Sequence, residues 1–267
     1  MIASIKAEIR KSVRRPALLI GSGLVAGIVV LVYGVLWYQS AHPSSAEHPV
    51  SILALYPENF VSNVIGAGYP LGAALTILLG ALIGGSEYSW GTMKTLFTQG
   101  PGRLTVWAGR TIVFMTWTAL MSIILFAVGA ACSVVVASFQ GHAISWPASI
   151  DILKGLGAIW LIFSVNGALG LALGVLVRQS AAALGIGIVY LLGVEGIIVR
   201  FIDGLNNGAY KWFGDLFVGQ NSAALLQSFS PRPAGSISAE QAVLVLVAFL
   251  VALLVVAGGL QRMRDVT

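Results

Sequence analysis

The sequence predicts an all-α, polytopic membrane protein with six transmembrane helices. Of its 267 residues, 57% are hydrophobic and only 9% are charged, and apolar runs recur along the whole chain. Soluble domains carry roughly 25% charged residues, so this chain lacks the polar side chains that would cover a water-facing surface. Transmembrane strands would give short segments of alternating hydrophobicity, and the sequence contains no such pattern. A helical bundle follows.

The spans are predicted from length and hydropathy. A helix needs about 20 predominantly apolar residues to cross the hydrocarbon core of a bilayer. The third run is longer than that, so we expect it to be tilted, kinked or extended into water. The first run is too long for a signal-peptide core and no clean cleavage site ends it, so we count it as a true span. The six predicted spans are 17–37, 62–85, 106–139, 152–177, 181–202 and 241–260.

The basic residues predict that both termini are cytoplasmic. An even number of spans places the termini on one side of the membrane, and cytoplasmic loops carry the excess of Lys and Arg. With the termini inside, 11 basic residues lie in inner segments and 4 in outer segments. The inner set is Lys6, Arg10, Lys11, Arg14, Arg15, Lys94, Arg103, Arg110, Arg178, Arg262 and Arg264. The outer set is Lys154, Arg200, Lys211 and Arg232.

Residues 1–15 predict an amphipathic helix at the inner membrane interface. One face is apolar and the other is basic, which suits a helix lying against anionic headgroups. A plain basic anchor is the alternative, and it gives the same topology. The transmembrane domain then covers 16–267. The apolar face carries Ile2, Ile5, Ile9 and Val13, and the basic face carries Lys6, Arg10, Lys11 and Arg14.

Outside the spans, residues 203–240 form the most structured outer segment. Its aromatic stretch predicts one or two short helices at the outer membrane face, and Ser238 begins a Ser-Ala-Glu-Gln sequence that can cap the last span.

Cys132 lies within the third span, so neither a disulfide nor a cysteine metal site is expected. The three histidines are interpreted as ordinary loop residues rather than metal ligands; they are His42, His48 and His142.

Several spans carry glycines four residues apart, a spacing that lets helix backbones approach closely. This pattern favours a compact bundle or a dimer. The pairs are Gly23 and Gly27, Gly68 and Gly72, Gly80 and Gly84, and Gly170 and Gly174.

Two polar residues within the spans are candidates for a substrate path. Glu195 lies in the fifth span, and a carboxylate in a bilayer is costly enough to indicate function by default. It could instead face a wet outer cavity or pair with Arg200 or a neighbouring helix. Asn166, near the middle of the fourth span, is expected to form a hydrogen bond across the bundle more readily than to touch a substrate.

The stretch "GGSEYSWGTMKTLFTQGPGR", residues 84–103, interrupts the apolar chain between the second and third spans. Read as a helix, it places Trp90, Met93 and Phe97 on one side, and Gly100-Pro101-Gly102 ends it. Such a short amphipathic element beneath the membrane can be held by the bundle on one face while offering the other to a soluble partner. A helix lying passively in the interface is the alternative.

This stretch resembles a known signature. The order small-x-Glu-x-Ser-x-Gly-Thr-x-Lys, followed by Pro-x-Arg, is similar to the segment after the second helix in ATP-binding-cassette export permeases of the type-two class. Six spans, inside termini, an N-terminal interfacial helix and a structured outer segment before the last span resemble the same architecture. The matching positions are Glu87, Gly91, Thr92, Lys94, Pro101 and Arg103.

The resemblance implies a multi-pass permease subunit of a cell-membrane exporter, surrounded by lipid and without nucleic-acid partners. The richness in Ala, Val and Gly with few lysines suggests a bacterial source. The chain would bind no cofactor, since it has no phosphate-binding loop; ATP and Mg would sit on two cytoplasmic ATPase subunits. A second permease chain, identical or related, would complete the dimer. The 87–98 helix, within a cytoplasmic loop at 86–105, would be the coupling helix. The implied ATPase contacts are Glu87, Trp90, Gly91, Thr92, Met93, Lys94, Pro101 and Arg103.

Other function classes remain open on the residues alone. An ion-gradient-driven secondary transporter would use Glu195 as its ion site, although the broken helices and inverted repeats of that class are not evident. A membrane enzyme is disfavoured because no nucleophile and base are paired within the spans. A non-transporting membrane anchor would use the 86–105 loop as its only functional surface. Replacement of Glu87 or Gly91, compared with replacement of Glu195, separates these classes.

Overall fold

The computed structural model describes residues 9–10, 16–42, 51–69, 71–89, 102–205, 210–230 and 237–263. Within these ranges every regular element is helical, so the predicted all-α fold is confirmed. Of the predicted N-terminal helix, only Ile9 and Arg10 are described, and both are helical and exposed. The rest of that prediction lies outside the described residues.

Long helices dominate the structure, with shorter ones between them. In chain order the helices are α1 (Pro16–Ala41), α2 (Phe60–Gly68), α3 (Leu71–Ser89), α4 (Arg103–Phe139), α5 (Ser149–Val177), α6 (Ser180–Val189), α7 (Glu195–Gly204), α8 (Lys211–Gly214), α9 (Val218–Gln227) and α10 (Ala239–Met263). Two 3₁₀ turns, Ile52–Leu55 and Pro57–Asn59, precede α2. We call the end of the bundle where α3 ends and α4 begins the proximal end, and the opposite end the distal end.

Within the described residues, five stretches are long and apolar enough to cross a membrane, and a sixth forms if one bent pair counts as a single span. The bent pair corrects the prediction for 62–85, which we expected to be one continuous helix. The structure has α2 and α3 instead, with a bend of 50° between them. The sequence places Pro70 at this point, and proline removes a backbone donor and disfavours a helical residue before it.

The fifth span is interrupted in a different way. A π-helical turn, Tyr190–Val194, joins α6 to α7 without ending the helix. Its hydrogen bond runs from the Glu195 N–H to the Tyr190 carbonyl, a separation of five residues. Turns of this kind are rare and often occur at functional positions. The turn brings Tyr190 and Glu195 onto one side of the helix.

The closest packing in the bundle is between α3 and α5, which share the most extensive helix contact. An added Cβ at Gly80 would collide with the Gly167 carbonyl, and one at Gly170 would collide with the Ile77 carbonyl. At Gly174 it would lie 2.8 Å from the Gly85 amide nitrogen. Two of the predicted glycine pairs therefore hold helices together within one chain. We call this contact the glycine seam.

The other two glycine pairs behave differently. A Cβ on Gly68 or Gly72 would meet the side chain of Leu125 or Phe163, at 2.8 and 2.5 Å respectively. Around Gly23 and Gly27, by contrast, a Cβ would have no neighbour within 4 Å. The same sequence pattern thus marks a helix contact in one span and an open helix surface in another.

Short polar contacts link the helices within the apolar core. The Thr118 hydroxyl of α4 lies 3.0 Å from the Ser164 hydroxyl of α5, and the Tyr33 hydroxyl of α1 lies 2.9 Å from the Ser133 hydroxyl of α4. All four side chains are buried. Hydrogen bonds of this kind hold transmembrane helices together where apolar contact alone gives no preference over lipid.

At the distal end, the described residues of the 203–240 segment include the short helices α8 and α9. Helix α9 packs mainly against α10 and touches α2 and α5. Nearby, His142 stacks on Tyr56 with 3.9 Å between ring centroids, and its Nε2 lies 3.5 Å from Glu58 Oε1. His42 stacks on Tyr38. The segment after α4 is thus joined to the segment before α2 by a ring contact.

Candidate functional site

The signature stretch begins as a continuation of the second span. Helix α3 runs on to Ser89, so Glu87 lies in its last turn rather than at the start of a separate loop helix. The next described residue is Gly102, and Arg103 begins α4. The remaining predicted contacts lie outside the described residues; they are Trp90, Gly91, Thr92, Met93, Lys94 and Pro101.

Arg103 connects the end of the signature stretch to the last span. Its Nη1 donates a hydrogen bond of 3.0 Å to the main-chain carbonyl oxygen of Arg262, in the final turn of α10. The carbonyls of a final helical turn have no partner within the helix and carry a partial negative charge. A guanidinium group is well suited to satisfy them, so Arg103 caps α10 from a neighbouring helix.

One turn further along, the same two helices approach very closely. Trp107 is 9% exposed, and an added Cβ at Gly258 would lie 2.6 Å from its indole Nε1. The helices run in opposite directions, so Arg103 and Trp107 on α4 face Arg262 and Gly258 on α10. We call this contact the α4–α10 clasp.

The position of Arg110 corrects one part of the predicted charge distribution. We counted it among the charges at the inner surface, but it is only 1% exposed and belongs to the interior of the bundle. Trp107 follows Arg103 by four residues and Arg110 follows Trp107 by three, and these spacings place all three on one face of α4. The orientation prediction does not depend on it, because the other inner basic residues still outnumber the outer ones.

Glu195 lies at the junction between the fifth span and the distal segment. It is 5% exposed, and its Oε1 accepts hydrogen bonds from the backbone N–H groups of Gly219 and Gln220, the latter at 3.2 Å. These residues are in the first turn of α9, whose N–H groups lack partners within the helix. Tyr190, across the π-helical turn, also hydrogen-bonds the carboxylate. Glu195 is therefore an N-terminal cap supplied by another helix.

This arrangement bears on the three interpretations of Glu195. The carboxylate does not pair with Arg200 within the described residues; its partners are a hydroxyl and two backbone amides. Gly219 is needed for the contact, since an added Cβ there would lie 2.5 Å from Oε1. The geometry favours a structural role at the distal end over an ion site.

A comparison with protein families gives a match over residues 4–194, with the description "ABC-2 family transporter protein". The matched part includes the first four spans, the signature stretch and the fifth span up to the π-helical turn. The chain belongs to the ABC-2 transporter family. It is therefore a multi-pass membrane protein and a transport permease, as the sequence predicted. A comparison with curated proteins gives no significant match.

In this ABC-2 permease, Glu195 and all of α9 and α10 fall beyond the matched residues. The family match therefore does not cover the Glu195 cap on α9, nor the residues that α10 contributes to the α4–α10 clasp. Arg103, the last residue of the family signature, contacts this unmatched region directly.

Asn166 of the permease does not make the contact we expected. It is 2% exposed, and its Nδ2 donates to the Ile162 carbonyl of its own helix at 2.9 Å. The prediction of a hydrogen bond across the bundle is wrong for this amide group. The carbonyl one turn earlier is within reach of a short polar side chain on a helix, and the Asn166 amide takes this local acceptor.

The sequence reasoning missed several residues that the structure brings together. Spacings from Arg103 could have marked Trp107 and Arg110, because they share its helical face. Gly258 and Gly219 gave no local signal, since each matters only through a side chain from a distant part of the chain.

Proposed function

We propose that this chain is the membrane-spanning subunit of an ATP-driven exporter in the cell membrane. Membership in the ABC-2 family implies association with ABC ATPase subunits. In this proposal two ATPases dock on the cytoplasmic 87–98 segment, and ATP and Mg are bound there rather than on this chain. A second permease chain, identical or related, completes the transporter. The cargo is unidentified.

The observation that carries the proposal is the way both ends of the signature stretch are anchored. Its entrance is the last turn of α3, which is locked to α5 through the glycine seam. Its exit is Arg103, which is hydrogen-bonded to the end of α10. A displacement of the stretch would therefore move four spans together, α3 with α5 and α4 with α10, instead of being absorbed by a flexible connection. Transmission of this kind requires that the stretch bind the two ATPase states differently.

Each of several residues in the 86–105 loop would have a different role in binding the ATPase. Glu87 and Arg103 supply charge for contacts with the ATPase or for bracing the loop, and Arg103 already braces α10. Gly91 permits close approach of the ATPase backbone, and Pro101 fixes the exit turn. Trp90 and Met93 would hold the apolar face of the segment against the membrane or the ATPase cleft.

A pull-down in mild detergent tests the proposal. The permease is tagged after Thr267 in its native host, and the bound fraction is assayed for ATP hydrolysis. We expect wild type to capture a soluble ATPase and Gly91→Trp to lose it, because the indole blocks close approach. Gly23→Trp is the matched control, since its site on α1 has open space within 4 Å.

Two outcomes would contradict the proposal. One is the absence of any ATPase while the permease stays monodisperse and folded in the same detergent. The other is equal capture of the ATPase by wild type and Gly91→Trp, which would separate the 87–98 segment from the docking surface.

A further inference from the structure

A groove of about 770 Å³ opens at the distal end, between α5, α9 and α10. It lies at the opposite end of the bundle from Ser89 and Gly102, the described residues on either side of the central part of the signature stretch. Its wall on α5 follows one helical stripe, from Asp151 and Lys154 to Ala158 and Leu161.

The rim of the groove is charged. Asp151 and Lys154 project from the first turns of α5, and Glu240 projects from the first turn of α10. All three residues are exposed, and none of them forms an ion pair with another described residue. Among the described residues, the rim therefore presents one ammonium group and two carboxylates without an ion-pair partner.

The floor of the groove is apolar. Ala158, Leu161 and Leu225 are buried beneath the rim, and Phe229 and Val243 complete the wall. The rim belongs to the ends of two helices that are long and apolar enough to span a membrane. Charged groups at that level meet lipid headgroups, and the floor below them meets acyl chains.

Apolar contact alone cannot select a ligand here, because lipid tails are as apolar as the side chains that they would touch. Selectivity must come from the headgroup. We propose that the groove binds one phospholipid with a zwitterionic headgroup, whose phosphate contacts Lys154 and whose ammonium contacts Asp151 and Glu240. Both charges of such a headgroup find partners, whereas an anionic headgroup would meet two carboxylates.

A second copy of this chain fits the groove less well. A two-fold contact brings the same patch of both chains together. The two carboxylates of each rim would then oppose those of its partner, and each rim carries a net charge of −1 from Asp151, Glu240 and Lys154.

The test uses full-length permease reconstituted in vesicles of equal phosphatidylethanolamine and phosphatidylglycerol. The protein is extracted in mild detergent, and retained lipid is counted by native mass spectrometry. We expect one phosphatidylethanolamine per chain, at about a 5-fold preference over phosphatidylglycerol, as one surface charge contact of about 1 kcal/mol provides. Equal retention of the two lipids would overturn the proposal.

Two neighbouring positions on α10 supply matched variants. Val243 lines the groove, whereas Leu244 does not line it and is 71% exposed. We expect Val243→Trp to lose the lipid and Leu244→Trp to keep it, with unchanged melting temperatures in both. Retention by Val243→Trp, or equal loss in both variants, would place the lipid elsewhere.

The rim charges give a second, independent readout. The double variant Asp151→Asn, Glu240→Gln leaves Lys154 as the only charge of the rim, so the preference should shift toward phosphatidylglycerol. Lys211→Gln, an exposed lysine outside the groove, should leave the preference unchanged. An unchanged preference in the double variant would exclude headgroup recognition by this rim. None of these measurements depends on transport or on an ATPase.

Discussion

The Nη1 of Arg103 donates a hydrogen bond to the carbonyl oxygen of Arg262 across 159 residues of sequence. This contact joins the last residue of the signature stretch, which begins α4, to the last turn of the last span. Together with the packing of Trp107 on Gly258, it makes the proximal ends of α4 and α10 one mechanical unit. Arg103, the arginine of the family signature, therefore stabilises the end of α10 within the permease, in addition to any contact with an ATPase.

Removal of the Arg103 side chain should loosen the end of α10. A hydrogen bond from a cation to a final-turn carbonyl contributes about 1 kcal/mol. In Arg103→Ala we therefore expect roughly 5-fold faster amide exchange over the last turn of α10, measured by hydrogen–deuterium exchange mass spectrometry.

Arg262→Ala is the matched control for this prediction. Arg103 bonds the main chain of residue 262, so loss of the Arg262 side chain leaves the acceptor in place. Comparable exchange in both variants would show that the cap does not stabilise α10.

Glu195 should behave as a helix cap. Glu195→Ala removes the acceptor for the Gly219 and Gln220 amides, which should destabilise α9 by about 1–2 kcal/mol. Glu195→Gln keeps an acceptor oxygen and should lose less than half of that stability. Thermal unfolding in detergent and amide exchange across 218–222 measure both effects.

An ion-gradient-driven carrier would give the opposite pattern for Glu195. The Gln variant would then lose transport as completely as the Ala variant, even with α9 fully protected from exchange. In the proposed exporter, Glu195→Gln should retain ATP-dependent transport, because the carboxylate serves the fold of the distal end.

The glycine seam should tolerate no added methyl group. In Gly80→Ala the new Cβ meets the Gly167 carbonyl, a backbone atom that cannot rotate away. We expect a loss of about 2 kcal/mol from overpacking, seen as a lower melting temperature and a polydisperse elution profile.

Gly23→Ala is the control for the seam, since the Cβ at that position has no neighbour within 4 Å. Alanine is also the better helix former, so its stability should stay within about 1 kcal/mol of wild type. Equal behaviour of the two variants would mean that α3 and α5 are not in backbone contact.

The predicted orientation can be tested with single cysteines. Cys132 is the only cysteine, so Cys132→Ala provides a cysteine-free background. Gln140 at the distal end and Gly102 at the proximal end are both exposed. In intact cells, a membrane-impermeant maleimide should label Gln140→Cys and spare Gly102→Cys. The reverse pattern would place both termini outside.

Much of the fold could be predicted because it depends on local composition. The five continuous spans begin and end within about five residues of the expected positions, since hydropathy over 20 residues is a strong signal. The second span was the exception, because a proline in an apolar run leaves the hydropathy signal intact while it interrupts the helix.

The sequence by itself determined the membrane class, the helical fold and the resemblance to a permease family, because these follow from composition, hydropathy and a short linear motif. Only the tertiary structure decided which glycines are in backbone contact, which helix Glu195 caps and which carbonyl oxygen Arg103 binds. Those contacts join positions 24 to 159 residues apart. Their partners are backbone amides and carbonyls, which every residue carries and no sequence pattern distinguishes.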